Sequence, residues 1–170
     1  MASHLIEANR KDAEIVHGDE LGQKKCAQML KELDVPNGLL PLKDILEVGV
    51  NRKTGFVWVT QKKPTTHLFR KAGQLVQYGT EVTCFCAKHR AKKVTGVKAK
   101  EMFFWVALGD IYVDEKDSSK ITFKNPMTGF TRTHPLSAFE REEEEEKKKF
   151  EDTVERNGFP LLALEGCVDL

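Results

Sequence analysis

A chain of 170 residues with 40% hydrophobic content is long enough for one domain with one sizeable core. Its 27 basic and 26 acidic side chains leave a formal net charge of +1, so overall charge assigns no nucleic-acid partner. No stretch approaches the roughly 18 consecutive apolar residues of a membrane span, which excludes a transmembrane helix.

The start of the chain, Met1-Ala2-Ser3-His4-Leu5-Ile6-Glu7, lacks the apolar core of a signal peptide and is too acidic for a transit peptide. The expected setting is intracellular and cytoplasmic, at most peripheral to membranes, with the protein a monomer. Residues 1–18 read as an N-terminal extension, with a weak helix over 4–16 that Gly18 breaks. Residues 19–33 read as an amphipathic helix. Leu21, Met29, Leu30 and Leu33 recur at helical spacing with Cys26 beside them, and Asp19 stands at the N-cap. Pro36-Asn37-Gly38-Leu39-Leu40-Pro41-Leu42 then stops the helix, since proline lacks an amide donor. Leu39, Leu40 and Leu42 are too apolar for a solvent loop, so this segment is expected to pack and to cap one end of the core.

Strands dominate from 45 to 134. Residues 45–50 and 56–60 flank the turn Asn51-Arg52-Lys53-Thr54-Gly55 and form a hairpin over 44–61. Residues 65–70 form a shorter strand, and 76–88 alternate, with Val76, Tyr78, Val82, Cys84 and Cys86 on one face. A basic turn over 88–93 leads to a return strand at 94–97. Met102-Phe103-Phe104-Trp105-Val106 is apolar on both faces and reads as a central, doubly covered strand. Strands at 111–113, 121–124 and 130–133 follow, the last two flanking Asn125-Pro126-Met127-Thr128-Gly129. Residues 19–139 are therefore one β-rich domain with a leading helix. Residues 140–170 are a charged helix to about Arg156 plus a tail, because Glu143, Glu144 and Glu145 each precede a lysine by four residues. The fold class is mostly β (α+β): a barrel-like or two-sheet antiparallel domain between two helices.

Five groups of residues are candidates for chemistry. Phe56, Trp58, Tyr78, Phe104 and Trp105 could line an apolar cavity for a lipid or another amphipathic small molecule, or they could simply fill the core. Lys88, Arg90, Lys92 and Lys93 form a basic cluster suited to an anionic surface such as a membrane, or to a solvated edge; no aromatic platform for nucleic acid is interleaved. Cys84-x-Cys86-x-x-His89 gathers two thiols and an imidazole but lacks a fourth ligand, so no metal and no cofactor are expected. No serine lies in a nucleophile elbow; Ser137 near His134 is the weak hydrolase alternative. Cys167-Val168-Asp169-Leu170 resembles a prenylation box, spoiled by the charge at Asp169.

The order and spacing of Val35 to Leu42, Gly55-Phe56-Val57-Trp58, Val76 to Val82, Val94 to Glu101, Phe104-Trp105-Val106 and Phe130 to Phe139 resemble family 538 of the plant domains of unknown function, over about 13–139. That resemblance implies plant origin, a compact mostly-β domain, and a link to stress and developmental responses. It also implies a likeness to lipid-binding folds of the bactericidal permeability-increasing type, and an esterase-like role on chlorophyll has been proposed for the family. No catalytic residues carry over. The leading expectation is a non-enzymatic binding module for a lipid or amphipathic ligand. The alternatives are an esterase-like hydrolase and an adaptor acting through the charged helix.

Overall fold

The computed structural model describes residues 2–141, 150–151 and 153–156. The chain divides into two units, 1–139 and 140–170. In the second unit, residues 150–151 and 153–156 are helical. Most of the expected charged helix, and Cys167, lie outside the described residues.

In the first unit, helix α1 (Ala2–Asn9) is followed by strand β1 (Glu14–His17) and helix α2 (Asp19–Glu32). Next come β2 (Ile45–Val50), β3 (Phe56–Gln61), β4 (Thr65–Phe69), β5 (Gln74–Ala87), β6 (Arg90–Glu101), β7 (Phe104–Ala107), β8 (Asp110–Val113), β9 (Lys120–Lys124) and β10 (Thr131–Pro135). All ten strands belong to one antiparallel sheet, ordered β1-β2-β3-β5-β6-β8-β9-β10, with β4 also on β5 and β7 also on β6. The mostly-β, antiparallel class is as the sequence indicates, and the sheet is a single one that does not close.

The long ribbon β5–β6 is the spine. On one side β5 pairs with β3 near Phe85 and with β4 near Val76; on the other, β6 pairs with β8 near Arg90 and with β7 near Glu101. The main core lies on one face of the sheet and runs from Val48, Val57 and Val59 through Val76, Tyr78 and Val97 to Ile121 and Phe123. The 3₁₀ turn Leu136–Phe139 returns Phe139 against Phe69 (4.9 Å) and Phe123 (5.2 Å), so elements from both sides of the spine share this core.

Helix α2 covers the β2 region of this face. Gly22 permits the close approach, since a Cβ there would lie 2.5 Å from Ile45 Cγ2. The Asp19 carboxylate accepts from the Ile45 amide (3.0 Å), and Gln23 Nε2 donates to the Leu42 carbonyl (2.8 Å). The expected packing loop is present. Residues Asn37–Leu39 form a 3₁₀ turn, Leu42 is buried, and Leu39 and Leu40 pack against the core.

The opposite face of the sheet carries a second, smaller core of Ile6, Phe56 and Trp58, joined by Ala13, Ile15 and Phe85. This corrects the weak helix expected over 4–16. Helix α1 ends at Asn9, the chain turns with Ala13 N–H donating to the Arg10 carbonyl, and Ile15 and Val16 pair with Gly49 and Val48. β-Branched residues favour the strand, and sheet pairing outweighs a marginal helical pattern.

Glu47, largely buried beside this second core, accepts hydrogen bonds from Trp58 Nε1 (2.7 Å) and from Arg10 (2.9 Å), and bonds His17 Nε2 (3.0 Å). Burial pushes its carboxyl pKa up. The bonds from Arg10 and Trp58, with the Arg10 charge and His17, outweigh burial and hold it below the ordinary 4.5. For His134, burial first and then the Arg132 charge lower the pKa below 6.5. Both folded values are depressed, so both contributions are complete above the unfolded values and are lost on acidification. Thermal melts from pH 7 to pH 3 should therefore decline in two stages: one beginning below 6.5 and one below 4.5. Glu47→Gln should shrink the lower stage, the remainder coming from Glu14 and Asp117, whose partners also hold their pKa values down; a pH-independent midpoint over that range would refute this account.

Candidate functional site

Between the main core face, helix α2 and the Pro36–Leu42 loop lies a cavity of about 100 Å³. Leu30 from α2, Leu33 at its C-cap, and Val35, Leu39 and Leu40 beyond it form one wall. Val57, Val59, Tyr78, Val82 and Val97 form the sheet wall, with Ile111 and Tyr112 of β8. The Tyr78 hydroxyl donates to the Leu39 carbonyl (2.7 Å), tying the loop to the sheet. Burial pushes the Tyr78 phenol far above its ordinary pKa, so it stays neutral and acts as a fixed donor.

At one end of the lining, His89 and Arg90 stand at the β5–β6 turn. His89 has a positive φ of 60°, a conformation uncommon outside glycine that histidine visits more readily than most. Its Nδ1 is shut off from solvent and has no hydrogen-bond partner. The Asp34 carboxylate is 3.7 Å away, beyond hydrogen-bonding reach. Arg90 is engaged elsewhere: its Nε donates to Asp110 Oδ1 (3.0 Å), and its guanidinium stacks over Tyr112 at 5.3 Å. The lining is therefore apolar except at this end, where His89 Nδ1 faces the Asp34 carboxylate at 3.7 Å without a hydrogen bond.

Of the five aromatic candidates, only Tyr78 lines this cavity. Phe56 and Trp58 are buried in the second core, on the other face of the sheet. Phe104 and Trp105 are exposed, which corrects the doubly covered strand expected at 102–106: Phe104–Ala107 is a short strand paired to β6 alone, and its hairpin projects into solvent. An apolar run signals a buried strand only when a second layer arrives to cover it. The basic cluster is divided. Lys88 and Arg90 stand with His89 at the turn, whereas Lys93 lies 5.7 Å from the Phe85 ring, which packs with the second core.

Cys84 and Cys86 both line the cavity, with their sulfurs 3.4 Å apart. The hydrogen bond to Cys86, and then burial, push the Cys84 pKa up, so Cys84 is a neutral thiol. His89 does not complete a metal-ligand group with them; among the described residues no group of three ligating side chains occurs. His134 and Ser137 are not joined: His134 Nε2 has no hydrogen-bond partner, and Ser137 is exposed. His134 instead packs between Phe123 and Phe139 beside a void of about 10 Å³, room for about one water.

Sequence reasoning missed the roles of His89, Leu39, Leu40 and Ile111 at the cavity. The only local signal was the excess of leucine in a proline-bounded loop. No helix among the described residues is long and apolar enough to cross a membrane. No match was found among curated proteins or among solved structures. The family model described as protein of unknown function, DUF538, matches residues 26–140, a span that holds every cavity-lining segment from α2 to Phe139. That match covers most of the chain, and the protein belongs to the DUF538 family.

Proposed function

We propose that this protein is a binding module for a small amphipathic ligand: an apolar ring or short branched chain bearing one acidic or hydrogen-bonding group. The observation that carries the reading is the pairing of an apolar-lined cavity with the His89 imidazole at its end, whose Nδ1 makes no hydrogen bond. An empty apolar cavity costs stability through lost contacts, and an unmet buried polar atom adds to that cost. A ligand filling the one and bonding the other offsets both. Size narrows the class. Cavities of roughly 150 Å³ hold a benzene ring, and this one measures about 100 Å³. A few methylenes or a short branched chain fits as the walls stand, whereas a ring or a long acyl chain requires the Pro36–Leu42 loop to lift from Tyr78. Membership of the family is compatible with a lipid or pigment fragment as the source of such a ligand.

Neither tryptophan lines the cavity, so intrinsic fluorescence is the wrong readout. Binding should instead be followed by isothermal titration calorimetry with a panel of aromatic and short branched carboxylates, each paired with its methyl ester. Ala91→Phe, which projects a ring into the cavity lining, is expected to weaken binding at least tenfold. His89→Ala is expected to weaken the acids about tenfold and the esters little. Equal binding by Ala91→Phe would place the ligand elsewhere, and no binding by any panel member would remove the proposal.

A further inference from the structure

Strands β6 and β7 are joined by the two-residue turn Met102-Phe103. Met102, Phe103, Phe104 and Trp105 are 81%, 89%, 59% and 37% exposed. Four consecutive large apolar side chains in solvent are unfavourable, and tight hairpin turns prefer glycine, asparagine or aspartate. The backbone makes the choice stranger, because Met102 has a φ of 44°, in the left-handed region that favours glycine. The chain thus keeps an apolar side chain where both solvation and backbone disfavour it, and strain of this kind points to function. None of the four belongs to either core.

Cations flank the tip. Lys98 and Lys100 lie opposite Ala107 and Trp105 in register, and Lys100 Nζ sits 5.2 Å from the Trp105 ring centroid. Glu101, the acid beside the turn, is bonded to Arg132 (3.1 Å). Gln74 Nε2 donates to the Lys100 carbonyl (2.8 Å), which brings the Arg70-Lys71-containing turn between β4 and β5 to the same end of the sheet.

We propose that this hairpin is a docking site for anionic lipid bilayers. Met102, Phe103 and Phe104 enter the boundary between head groups and acyl chains. Trp105 lies at head-group depth, and Lys98 and Lys100 meet the lipid phosphates. A convex two-residue tip suits a bilayer better than a protein, because a stable protein interface buries about 800 Å² per partner on a matched surface. The site is distinct from the cavity end. It lies at the Glu101 end of β6, with His89 and Arg90 at the other, up to about 35 Å away for a 12-residue strand.

The test is flotation of the full chain with vesicles of phosphatidylcholine and phosphatidylglycerol in a 3:1 ratio, against phosphatidylcholine alone. Binding to the anionic vesicles, weakened by salt, is expected. Phe103→Asp should cut partitioning at least tenfold without lowering the melting temperature, because the side chain is exposed. Met102→Gly should melt higher, by relieving the backbone, yet float less. Trp105 emission should shift to the blue on binding while buried Trp58 stays silent, so Trp105→Phe should lose the shift. Flotation of Phe103→Asp equal to wild type overturns the proposal, as does failure of the wild type to float. Lipid-free self-association that Phe103→Asp abolishes, without flotation, assigns the tip to a second copy of the chain and overturns it as well.

Discussion

Replacing Trp58 with alanine is expected to lower the unfolding free energy by about 4 kcal/mol, the range for an emptied buried aromatic site. The side chain is fully buried, 6.0 Å from Phe56 by ring centroids, with the Arg10 guanidinium 5.6 Å from its ring. Its Nε1 donates to Glu47 at 2.7 Å. Truncation empties the middle of the second core and takes one donor from a largely buried carboxylate, two costs that add. For a unit of this size the midpoint should fall by about 10–15 °C. A second variant tests the geometry. Gly49 lies opposite Trp58 in register, and a Cβ there would sit 2.0 Å from Trp58 Cζ2. Gly49→Ala alone should therefore be strongly destabilising. In the double variant with Trp58→Ala the clash partner is gone, so the loss should be clearly smaller than the sum. Urea titrations of the four proteins measure the cycle; strict additivity, or a loss under about 1 kcal/mol for Trp58→Ala, contradicts the packing described.

Gly96→Ala is expected to cost about 3 kcal/mol or more and to lower the melting midpoint by about 10 °C or more. Gly96 has a φ of +81°, and a Cβ on it would lie 2.1 Å from the Glu81 carbonyl oxygen. That oxygen is backbone, in a stretch where the β5–β6 register shifts between Tyr78 and Thr83. It cannot swing aside as a side-chain tip can. Relief requires separating the two longest strands of the sheet. Gly73 provides the control, with a positive φ of 62° and nothing within 4 Å. Gly73→Ala should cost only the conformational penalty, about 1 kcal/mol. Comparable melting temperatures for the two variants would show that the Glu81 contact is not what demands glycine at 96.

What could be read from the sequence was whatever depends on near neighbours. Helix α2, the packed loop after it, and the hairpins at 51–55 and 125–129 all follow from spacing and turn chemistry over a few residues, and all are present. Strand β1 was missed because four residues carry little signal of their own, and its partner β2 begins 28 residues after β1 ends. The alternation in β3 was legible, but which face held the cavity was not. Both faces are buried, and helix α1 supplies the second cover from far away in sequence. The 102–105 run was misread for the opposite reason: hydrophobicity predicts burial, and here four apolar side chains stand at the surface. The cavity was half legible. Tyr78 was named among its lining, but empty space is a property of how walls fail to meet, and no single residue type announces it.

Strand β3 sends Val57 and Val59 into one core and Phe56 and Trp58 into the other. A slip of one residue in its pairing would exchange the two sets. Indole and phenyl rings would be forced into the valine side, which also walls the cavity, while the slots beneath α1 would be left with isopropyl groups too small to fill them. The two errors cannot compensate, because the sheet itself separates the volumes. A strand that partitions large from small side chains between two compartments thereby proofreads its own alignment. The turn before β3 fixes the same alignment from its end, because buried Asn51 accepts from the Lys53 and Thr54 amides and donates to the Asn9 carbonyl at the end of α1.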